Sequence, residues 1–491
     1  MITVTLNREE FFYDIHSLIK AFYPGEEVQQ MHPDKESGDV LFDVEAEYKE
    51  NTIAVRIVEP QNGGKSAAEA ETSVDYSDRK ETKNRLKQML YQLLSTYTGK
   101  TLPWGDLTGI RPTKIPMTLL EEGKDDDAIR RYMKETYFAS DEKINLSIEI
   151  AKRERKLLQT IDYEHGYSLY IGIPFCPSTC LYCSFTSYPL GVWQEKTDDY
   201  LDALEKEIDY TAQNFADWKL NAVYIGGGTP TTLEPEQLRR LIRKIRTSFD
   251  LSYCVEFTVE AGRPDSITEE KLLALREEGV SRISINPQTM KDETLRIIGR
   301  HHTVSQTVES FKLARKLGFD NINMDLILGL PNETISDVER TMQAIRQLAP
   351  DNLTVHSLAL KRAARLNMFR EQYQDLTFEN TWETIDLTAR YAKQMGLEPY
   401  YLYRQKNMAG NFENVGYARE GKAGVYNILI MEEKQTIVAC GAGASTKRVW
   451  TEPNSDGTHR IERCENVKDV GQYIERIDEM TRRKQKLFAE E

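Results

Sequence analysis

Three of the six cysteines of the chain lie close together, in Tyr170-Ile-Gly-Ile-Pro-Phe-Cys-Pro-Ser-Thr-Cys-Leu-Tyr-Cys183. Cys176, Cys180 and Cys183 are separated by three and then two residues, so their thiolates can converge on one soft metal centre and leave one metal position open. A structural zinc site usually has a fourth Cys or His at regular spacing, but the nearest histidine, His165, lies outside this segment. A three-cysteine [4Fe-4S] cluster, whose fourth iron can take a small chelating ligand, fits the motif better than zinc.

A second candidate element is the glycine-rich segment Gly226-Gly-Gly-Thr-Pro230, which closes an apolar run. Glycines let the backbone approach a ligand closely and expose amide and carbonyl groups that a side chain would screen. By itself the segment fits a ligand-binding turn and a simple structural turn equally well.

Polar side chains accompany three later apolar runs. Glu260 and Gln288 follow two of these runs, and Asp325 lies inside the third. Burying such a group without a partner costs about 1–3 kcal/mol. One such residue is commonly a satisfied core group, whereas three on successive strands indicate a shared polar ligand. Arg300 is open to two interpretations, as part of that site or as a surface charge.

The elements that must position these residues follow a regular alternation. Helical patterns separate six β-branched apolar runs, which begin near Ser168, Ala222, Cys254, Arg282, Asn321 and Asn352. A repeated strand–helix order indicates parallel strands, and near-continuous apolar strands indicate burial on both faces. The α/β pattern therefore predicts a partial (β/α)6 barrel or a strongly curved open sheet, with functional groups at the carboxyl ends of the strands.

The chain divides into four predicted parts. Residues 1–100 form a small α/β domain of unknown role, with helices near 9–21 and 79–94 and a hairpin of 40–48 with 52–58. Residues 101–164 form a helical connector and 165–360 form the barrel. Residues 361–491 form a C-terminal α+β domain on the substrate side, with a helix near 379–395, strand-like runs at 425–430 and 436–439, and a charged helix at 468–489.

Bulk composition excludes several classes of protein. The 491 residues are 40% hydrophobic and 29% charged, and the net charge of -14 argues against a nucleic-acid partner, which would require clustered Lys and Arg. The N-terminal segment is acidic where a secretory signal would be basic, and no run reaches the roughly eighteen apolar residues of a membrane span. Cys254, Cys440 and Cys464 are scattered and are expected to be buried small hydrophobes. The sequence thus predicts a cytoplasmic protein in a reducing compartment.

The spacing of the cysteines and the glycine-rich segment resemble a known superfamily. The CxxxCxxC motif is similar to that of radical S-adenosylmethionine (SAM) proteins, in which the open iron holds the amino and carboxylate groups of SAM. GGGTP is similar to the superfamily element that holds the SAM amino group. Between about 165 and 450, the stretches YIGIPFCPSTCLYC, GGGTPT, VEAGRPDSIT, RISINPQTM and MDLILGLPNET resemble the oxygen-independent coproporphyrinogen III oxidase (dehydrogenase) family, and the whole chain resembles its HemZ-like branch.

This resemblance implies roles for individual residues. Cys176, Cys180 and Cys183 would bind the cluster. The remaining residues would contact SAM, with Tyr182 near the nucleoside and Ala359 near the adenosine: Tyr170, Tyr182, Gly227, Thr229, Glu260, Gln288, Arg300, Asp325 and Ala359.

The resemblance also implies a reaction. A SAM-derived radical would remove a hydrogen atom from a propionate of coproporphyrinogen III, and loss of CO2 and one electron would leave a vinyl group. Two rounds would give protoporphyrinogen IX, and a low-potential electron donor would be needed. Basic side chains just beyond the barrel are candidate partners of the substrate carboxylates, or simply a solvated face: Lys361, Arg362, Arg365, Arg404 and Lys406.

One position leaves the activity open. Phe185 follows Cys183 by two residues, where the established dehydrogenases have a fourth cysteine and the related heme-chaperone branch has phenylalanine. The sequence therefore leaves two alternative functions, an enzyme acting on coproporphyrinogen III and a protein that binds and delivers heme. A radical SAM enzyme with another substrate is the third alternative.

Overall fold

The computed structural model describes residues 1–31, 39–60, 66–359, 364–368, 373, 375–405, 412–453 and 459–489. The chain forms two compact units. The first unit comprises Met1–Lys152 with Leu402–Glu413, and the second comprises Arg153–Tyr401 with Asn414–Glu491.

The first unit contains a five-stranded mixed sheet in the order β2-β1-β3-β4-β5. Its elements are β1 (Ile2–Leu6), α1 (Phe12–Phe22), β2 (Val28–Gln30), β3 (Phe42–Tyr48), β4 (Thr52–Val58), β5 (Ser66–Ser73), α2 (Arg79–Thr98), α3 (Lys114–Glu121) and α4 (Asp126–Tyr137), and α5 (Asp141–Leu158) begins there. Apolar side chains of α1 and α2 share one core with alternate residues of β1, β3 and β4.

Only part of this sheet was predicted from the sequence. Strands β3 and β4 pair antiparallel, as the predicted hairpin requires, and both predicted helices are present. β1, β2 and β5 were missed. β5, with the sequence SAAEAETS, has few β-branched residues and lies mostly exposed at the edge of the sheet, so neither composition nor alternation indicated a strand.

The second unit is built on the predicted six parallel strands. The elements of this part are β6 (Gly166–Ile173), β7 (Phe175–Cys176), β8 (Tyr188–Pro189), α6 (Leu190–Trp193), α7 (Thr197–Asn214), β9 (Lys219–Gly227), α8 (Pro235–Ser248), β10 (Glu256–Glu260), α9 (Glu269–Glu277), β11 (Arg282–Ser284), α10 (Asp292–Ile297), α11 (Val304–Lys316), β12 (Ile322–Leu328), α12 (Ile335–Leu348) and β13 (Asn352–Ser357). Strands β6 and β9 to β13 pair in parallel in their sequence order, which is the predicted partial (β/α)6 barrel.

Further strands extend both edges of the barrel into an eleven-stranded sheet, in the order β14-β15-β13-β12-β11-β10-β9-β6-β16-β17-β18. These later elements are α13 (Arg365–Met368), α14 (Trp382–Gln394), β14 (Glu398–Arg404), β15 (Glu413–Ala418), α15 (Val425–Glu432), β16 (Thr436–Cys440), β17 (Ser445–Pro453), β18 (His459–Glu465), α16 (Val470–Glu475) and α17 (Ile477–Ala489). Since β15 is antiparallel to β13 and β16 is parallel to β6, the C-terminal residues complete both sides of the barrel sheet.

Two predictions for the C-terminal region were wrong in detail. Residues 425–430, predicted as a strand, belong to helix α15, because a short apolar run cannot be assigned to a strand or a buried helix by periodicity. The predicted single helix at 468–489 is two helices, with Arg476 between them. In the described part of the chain, no helix combines the length and the apolar character needed to cross a membrane.

A buried carboxylate connects the C-terminal helices to the barrel. Glu207 of α7 is inaccessible to solvent and accepts hydrogen bonds from Lys484, the Tyr473 hydroxyl (2.5 Å), Asn466 Nδ2 (2.7 Å) and the Gly441 N–H (2.8 Å). Lys484 is buried as well, so each charge depends on the other for compensation.

We expect Lys484→Met to lower the free energy of unfolding of the second unit by about 3–5 kcal/mol, because it leaves the Glu207 carboxylate buried without a cation. The double variant Glu207→Gln/Lys484→Met should recover most of this loss. Urea denaturation can measure both, with the exposed Arg482→Met on the same helix as control. Equal losses for Lys484→Met and Arg482→Met would contradict the structural role of the pair.

Candidate functional site

The three cysteines lie beyond the carboxyl end of β6, the first barrel strand. Cys176 belongs to β7, which pairs with β8, and the Cys183 N–H donates to the Cys180 carbonyl (3.2 Å), which closes the turn. None of the three is in a disulfide, and Cys176 and Cys180 are buried while Cys183 is half-buried. The loop therefore places three cysteines that form no disulfide at one end of the barrel.

The Cys176 thiol is harder to ionise than an ordinary cysteine. Burial raises the pKa of Cys176 to about 11, the Thr229 hydroxyl opposes this shift, and the two neighbouring thiols add to it. A metal that binds this sulfur must therefore displace its proton. Among the described residues, no three His, Cys, Asp or Glu side chains are arranged to hold a single metal ion. A cluster does not need that arrangement, because each cysteine binds a different iron atom.

The glycine-rich segment after β9 is bonded directly to the cysteine loop. The N–H groups of Gly228 and Thr229 donate to the carbonyls of Ile173 and Phe175, both at 2.7 Å. A Cβ at Gly228 would lie 2.6 Å from the Phe175 oxygen, so only glycine permits this approach. Thr229 Oγ1 also donates to Cys176 Sγ (3.5 Å). The segment thus positions the first cysteine.

Glu260, at the end of β10, faces the same segment from inside the barrel. It accepts hydrogen bonds from the Tyr224 hydroxyl and from the Gly227 N–H. Burial, with a further contribution from Asp325, raises the pKa of Glu260 to about 7 in spite of these donors. The carboxylate would be favoured by a cationic group bound beside it.

Three tyrosines stack inside the barrel below this carboxylate. The Tyr224 ring lies 4.4 Å from that of Tyr426 and 6.3 Å from that of Tyr170. Tyr426 comes from helix α15, which places an aromatic side chain among the barrel strands. Neither Tyr224 nor Tyr426 was predicted from the sequence. Tyr224 stands in an apolar run, and the helix carrying Tyr426 was predicted as a strand.

Gln288 follows β11 in a backbone conformation that is rare for a side-chain-bearing residue. Its φ is 65°, in the left-handed region, and its Oε1 atom is buried without a hydrogen-bond partner. Backbone hydrogen bonds with the Asp325 carbonyl and the Ile327 N–H, both at 3.0 Å, hold it there. Such strain costs about 1–3 kcal/mol and clusters at functional sites.

Arg300 is buried next to the cysteine loop. One guanidinium nitrogen, NH1, donates to the Asn286 carbonyl (2.6 Å), while Nε has no partner. Burial alone would lower the pKa of Arg300, but neighbouring Tyr182 and Cys180 raise it overall. Gln288 Oε1 and Arg300 Nε thus supply an acceptor and a donor that a polar ligand could satisfy.

The other predicted SAM contacts lie at the same end of the barrel strands. The Asp325 carboxylate accepts from Asn323 Nδ2 (2.7 Å), and its N–H donates to Asn286 Oδ1 (3.2 Å). Tyr182 is half-buried and packs beside the apolar cluster that contains Leu181. Ala359 lies just beyond β13 and is also half-buried.

The basic residues proposed for the substrate divide into three groups. Arg404 is buried and donates to the Leu107 carbonyl (2.5 Å) within the first unit, so it is neither an exposed cation nor part of a solvated face. Arg365 is exposed on α13. Lys361, Arg362 and Lys406 lie outside the described residues.

A pocket of about 220 Å³ opens beside the cysteine loop. It lies above the ends of β9, β6 and β16, with Gly227 and Tyr170 on one side and Ala442 to Ala444 on the other. Phe185, which is 71% exposed, and Lys468 also line it. Lys468 is the one charged side chain among the described residues at this pocket.

Comparison with known proteins identifies the superfamily to which the barrel and its cysteine loop belong. The family model of the radical SAM superfamily matches residues 170–345, which include the cysteine loop and most of the barrel strands. The partial barrel with its cysteine loop is therefore the core of a radical SAM protein, and the superfamily implies a [4Fe-4S] cluster and SAM.

Longer similarities define the family. The chain is 40% identical over 419 residues to the oxygen-independent coproporphyrinogen-III oxidase-like protein HemZ of Bacillus subtilis, covering 84% of this chain and 82% of that protein. It is 41% identical over 198 residues to the heme chaperone HemW of the same organism, covering 40% and 51%. The structure of coproporphyrinogen III oxidase HemN from Escherichia coli matches with a TM-score of 0.52 at 25% identity, covering 67% and 73%. The chain belongs to the oxygen-independent coproporphyrinogen III oxidase family and to its HemZ-like branch.

We expect Cys180→Ser to abolish the brown absorbance of the anaerobically reconstituted protein, because the cluster loses one of its three ligands. Cys464→Ser is the matched control, since Cys464 lies on β18 outside the loop. Spectra and iron content per chain measure the effect. Full iron and an unchanged spectrum in Cys180→Ser would refute the assignment of the loop.

The affinity for SAM should fall as the pH is lowered through about 7, the pKa of Glu260. The carboxylate is the form that attracts a cation, so protonation should weaken binding by up to about tenfold per pH unit below the pKa. Calorimetric titration at several pH values measures this trend. Glu260→Gln should bind SAM weakly with little pH dependence, whereas the exposed Glu236→Gln should behave as wild type. A pH-independent affinity in the wild type would contradict a role for the Glu260 charge.

Proposed function

We propose that this protein is a radical SAM enzyme that converts propionates of coproporphyrinogen III to vinyl groups without oxygen, giving protoporphyrinogen IX. The observation that supports the chemistry is the combination of three cysteines that form no disulfide with two buried polar atoms that have no partner, Gln288 Oε1 and Arg300 Nε. The choice of substrate is supported by the names of the similar proteins, an oxidase-like HemZ and the oxidase HemN.

In this proposal the cysteine loop holds the cluster and the ends of the barrel strands hold SAM. Bound there, cluster and SAM would supply the radical chemistry needed to remove a hydrogen atom from the substrate propionate. The chain's own residues bind and orient the cofactor. Those assigned to it are Tyr170, Tyr182, Gly227, Thr229, Glu260, Gln288, Arg300, Asp325 and Ala359.

These residues would contribute to cofactor binding in different ways. Glu260 would balance the positive charge of SAM, and Arg300 Nε and Gln288 Oε1 would gain the partners that they lack. The Thr229 hydroxyl donates to Cys176, its N–H donates to the Phe175 carbonyl and its own carbonyl accepts from Thr232, so Thr229 would act on the cofactor through the cluster ligand. The stacked Tyr170 and Tyr224 would close the barrel beneath the cofactor and exclude water.

The substrate needs cations for its four carboxylates. Lys468, at the pocket beside the loop, and exposed Arg365 are the described candidates, and the Phe185 ring offers a flat apolar surface for a tetrapyrrole edge. Each vinyl group also requires that one electron leave the substrate after CO2 is lost. The enzyme therefore needs an electron acceptor as well as the low-potential donor that reduces the cluster.

The proposal is tested by anaerobic incubation of reconstituted protein with SAM, a low-potential reductant, an electron acceptor and coproporphyrinogen III. We expect 5′-deoxyadenosine and vinyl products to appear together and to be absent with Cys176→Ser. Chromatography with mass detection measures both. Formation of 5′-deoxyadenosine without any vinyl product would refute the proposed reaction, although it would leave the cluster chemistry intact.

Heme binding and delivery is the second candidate function, and Phe185 favours it. This residue stands where the heme-chaperone branch has phenylalanine, its side chain is largely exposed, and 198 residues of the chain are 41% identical to a heme chaperone. A chaperone would bind heme stoichiometrically and transfer it without turnover. Heme titration followed by absorbance distinguishes the two functions, with Phe185→Ala as the variant that should weaken heme binding.

A further inference from the structure

Arg263, a residue outside the predicted site, lies directly beneath the cysteine loop. It follows the end of β10 by three positions, and only 3% of its surface is exposed. Its NH1 nitrogen donates to the carbonyl and to the hydroxyl of Ser178, both at 2.9 Å, and lies 3.8 Å from the Cys180 sulfur. The guanidinium group thus contacts the loop between the first two cysteines.

Asp265 fixes the orientation of this guanidinium group. Arg263 Nε and NH2 donate to the two carboxylate oxygens of Asp265, at 3.0 Å and 2.6 Å. This two-point contact uses one edge of the guanidinium plane and leaves NH1 directed at Ser178 and Cys180. A lysine ammonium could replace the charge but could not make both contacts.

The donors around the cysteines are distributed unequally. Cys180 has two buried arginines beside it, Arg263 and Arg300, whereas Cys176 has a neutral hydroxyl donor from Thr229. Hydrogen bonds to the sulfurs and nearby cations withdraw electron density from a cluster and favour its reduced form. The cationic side of the loop is therefore the side of Cys180.

We infer that Arg263 is a positioning residue that anchors the cysteine loop through Ser178 and raises the reduction potential of the bound cluster through its contact with Cys180. The inference rests on the cluster of the proposed function but not on the identity of the substrate. A cluster that cleaves SAM must first accept an electron. By raising the reduction potential, Arg263 would make this electron transfer easier.

The test is a redox titration of the reconstituted protein followed by electron paramagnetic resonance, with iron content measured in the same samples. Arg263→Gln should shift the equilibrium between reduced and oxidised cluster about tenfold toward the oxidised form, about 59 mV more negative for one electron. Arg263→Lys, which keeps the charge but loses the two-point contact with Asp265, should give a smaller shift in the same direction. Arg240→Gln is the control, because Arg240 is an arginine paired with two acidic residues on a distant helix surface.

An unchanged potential in both Arg263 variants, with full iron content, would overturn the inference. If Arg263→Gln fails to retain the cluster, the Arg263→Lys potential decides: a negative shift supports the inference and the wild-type value overturns it. A wild-type protein that binds no cluster would instead refute the cluster assignment, while a wild type that holds a cluster but forms no vinyl product would refute only the proposed reaction.

Discussion

Hydrogen bonds from neighbouring strand ends hold the cysteine loop in place, and the chemistry of the protein depends on them. The loop itself contains only the two-residue strands β7 and β8. Gly228 and Thr229 bind it from the end of β9, Arg263 from the end of β10, and the Gly299 carbonyl from the turn after α10, through Ser178 Oγ at 2.7 Å. Three thiols can remain fixed on such a short segment because parallel strands end at one edge of the barrel.

The same edge of the barrel contains several buried groups that lower the stability of the folded protein. Gln288 has a left-handed backbone and an unpaired acceptor, Arg300 has an unpaired donor, and Glu260 is a buried carboxyl with an elevated pKa. Unpaired buried atoms of this kind cost about 1–3 kcal/mol each, and a bound ligand at this edge would supply the partners of Gln288 and Arg300. The barrel strands on either side, which are almost entirely apolar, provide the stability that offsets this cost.

The barrel could be predicted from the sequence because its signals are local. Most of the strands are largely apolar and have a polar or glycine residue at or near the carboxyl end, and the helices between them have their own period. Both the strand order and the edge that carries the site follow from these patterns. Helix α15 and strand β5 could not be predicted in this way. The apolar run of α15 is short enough for either structure, and β5 is an exposed edge strand without a hydrophobic pattern.

Several site residues at strand ends were predicted, whereas Arg263, Tyr224 and Tyr426 were missed. Arg263 lies only three positions after Glu260 and could have been found by treating every polar residue at the end of a strand as a candidate. Arg404 illustrates the opposite error. From the sequence, Arg404 is a charged residue that follows the barrel strands. Its burial beside Trp104 and the Leu107 carbonyl depends on contacts between residues about 300 positions apart, which no local pattern shows.

The central claim is that the three-cysteine loop holds a cluster with one iron open to SAM. The most direct measurement is the electron paramagnetic resonance spectrum of the dithionite-reduced, reconstituted protein with and without SAM. Binding of SAM to the open iron should change the spectrum of the reduced cluster, and S-adenosylhomocysteine should not reproduce the change in full because it lacks the methyl group and positive charge. A cluster spectrum that is identical with and without saturating SAM would contradict the claim.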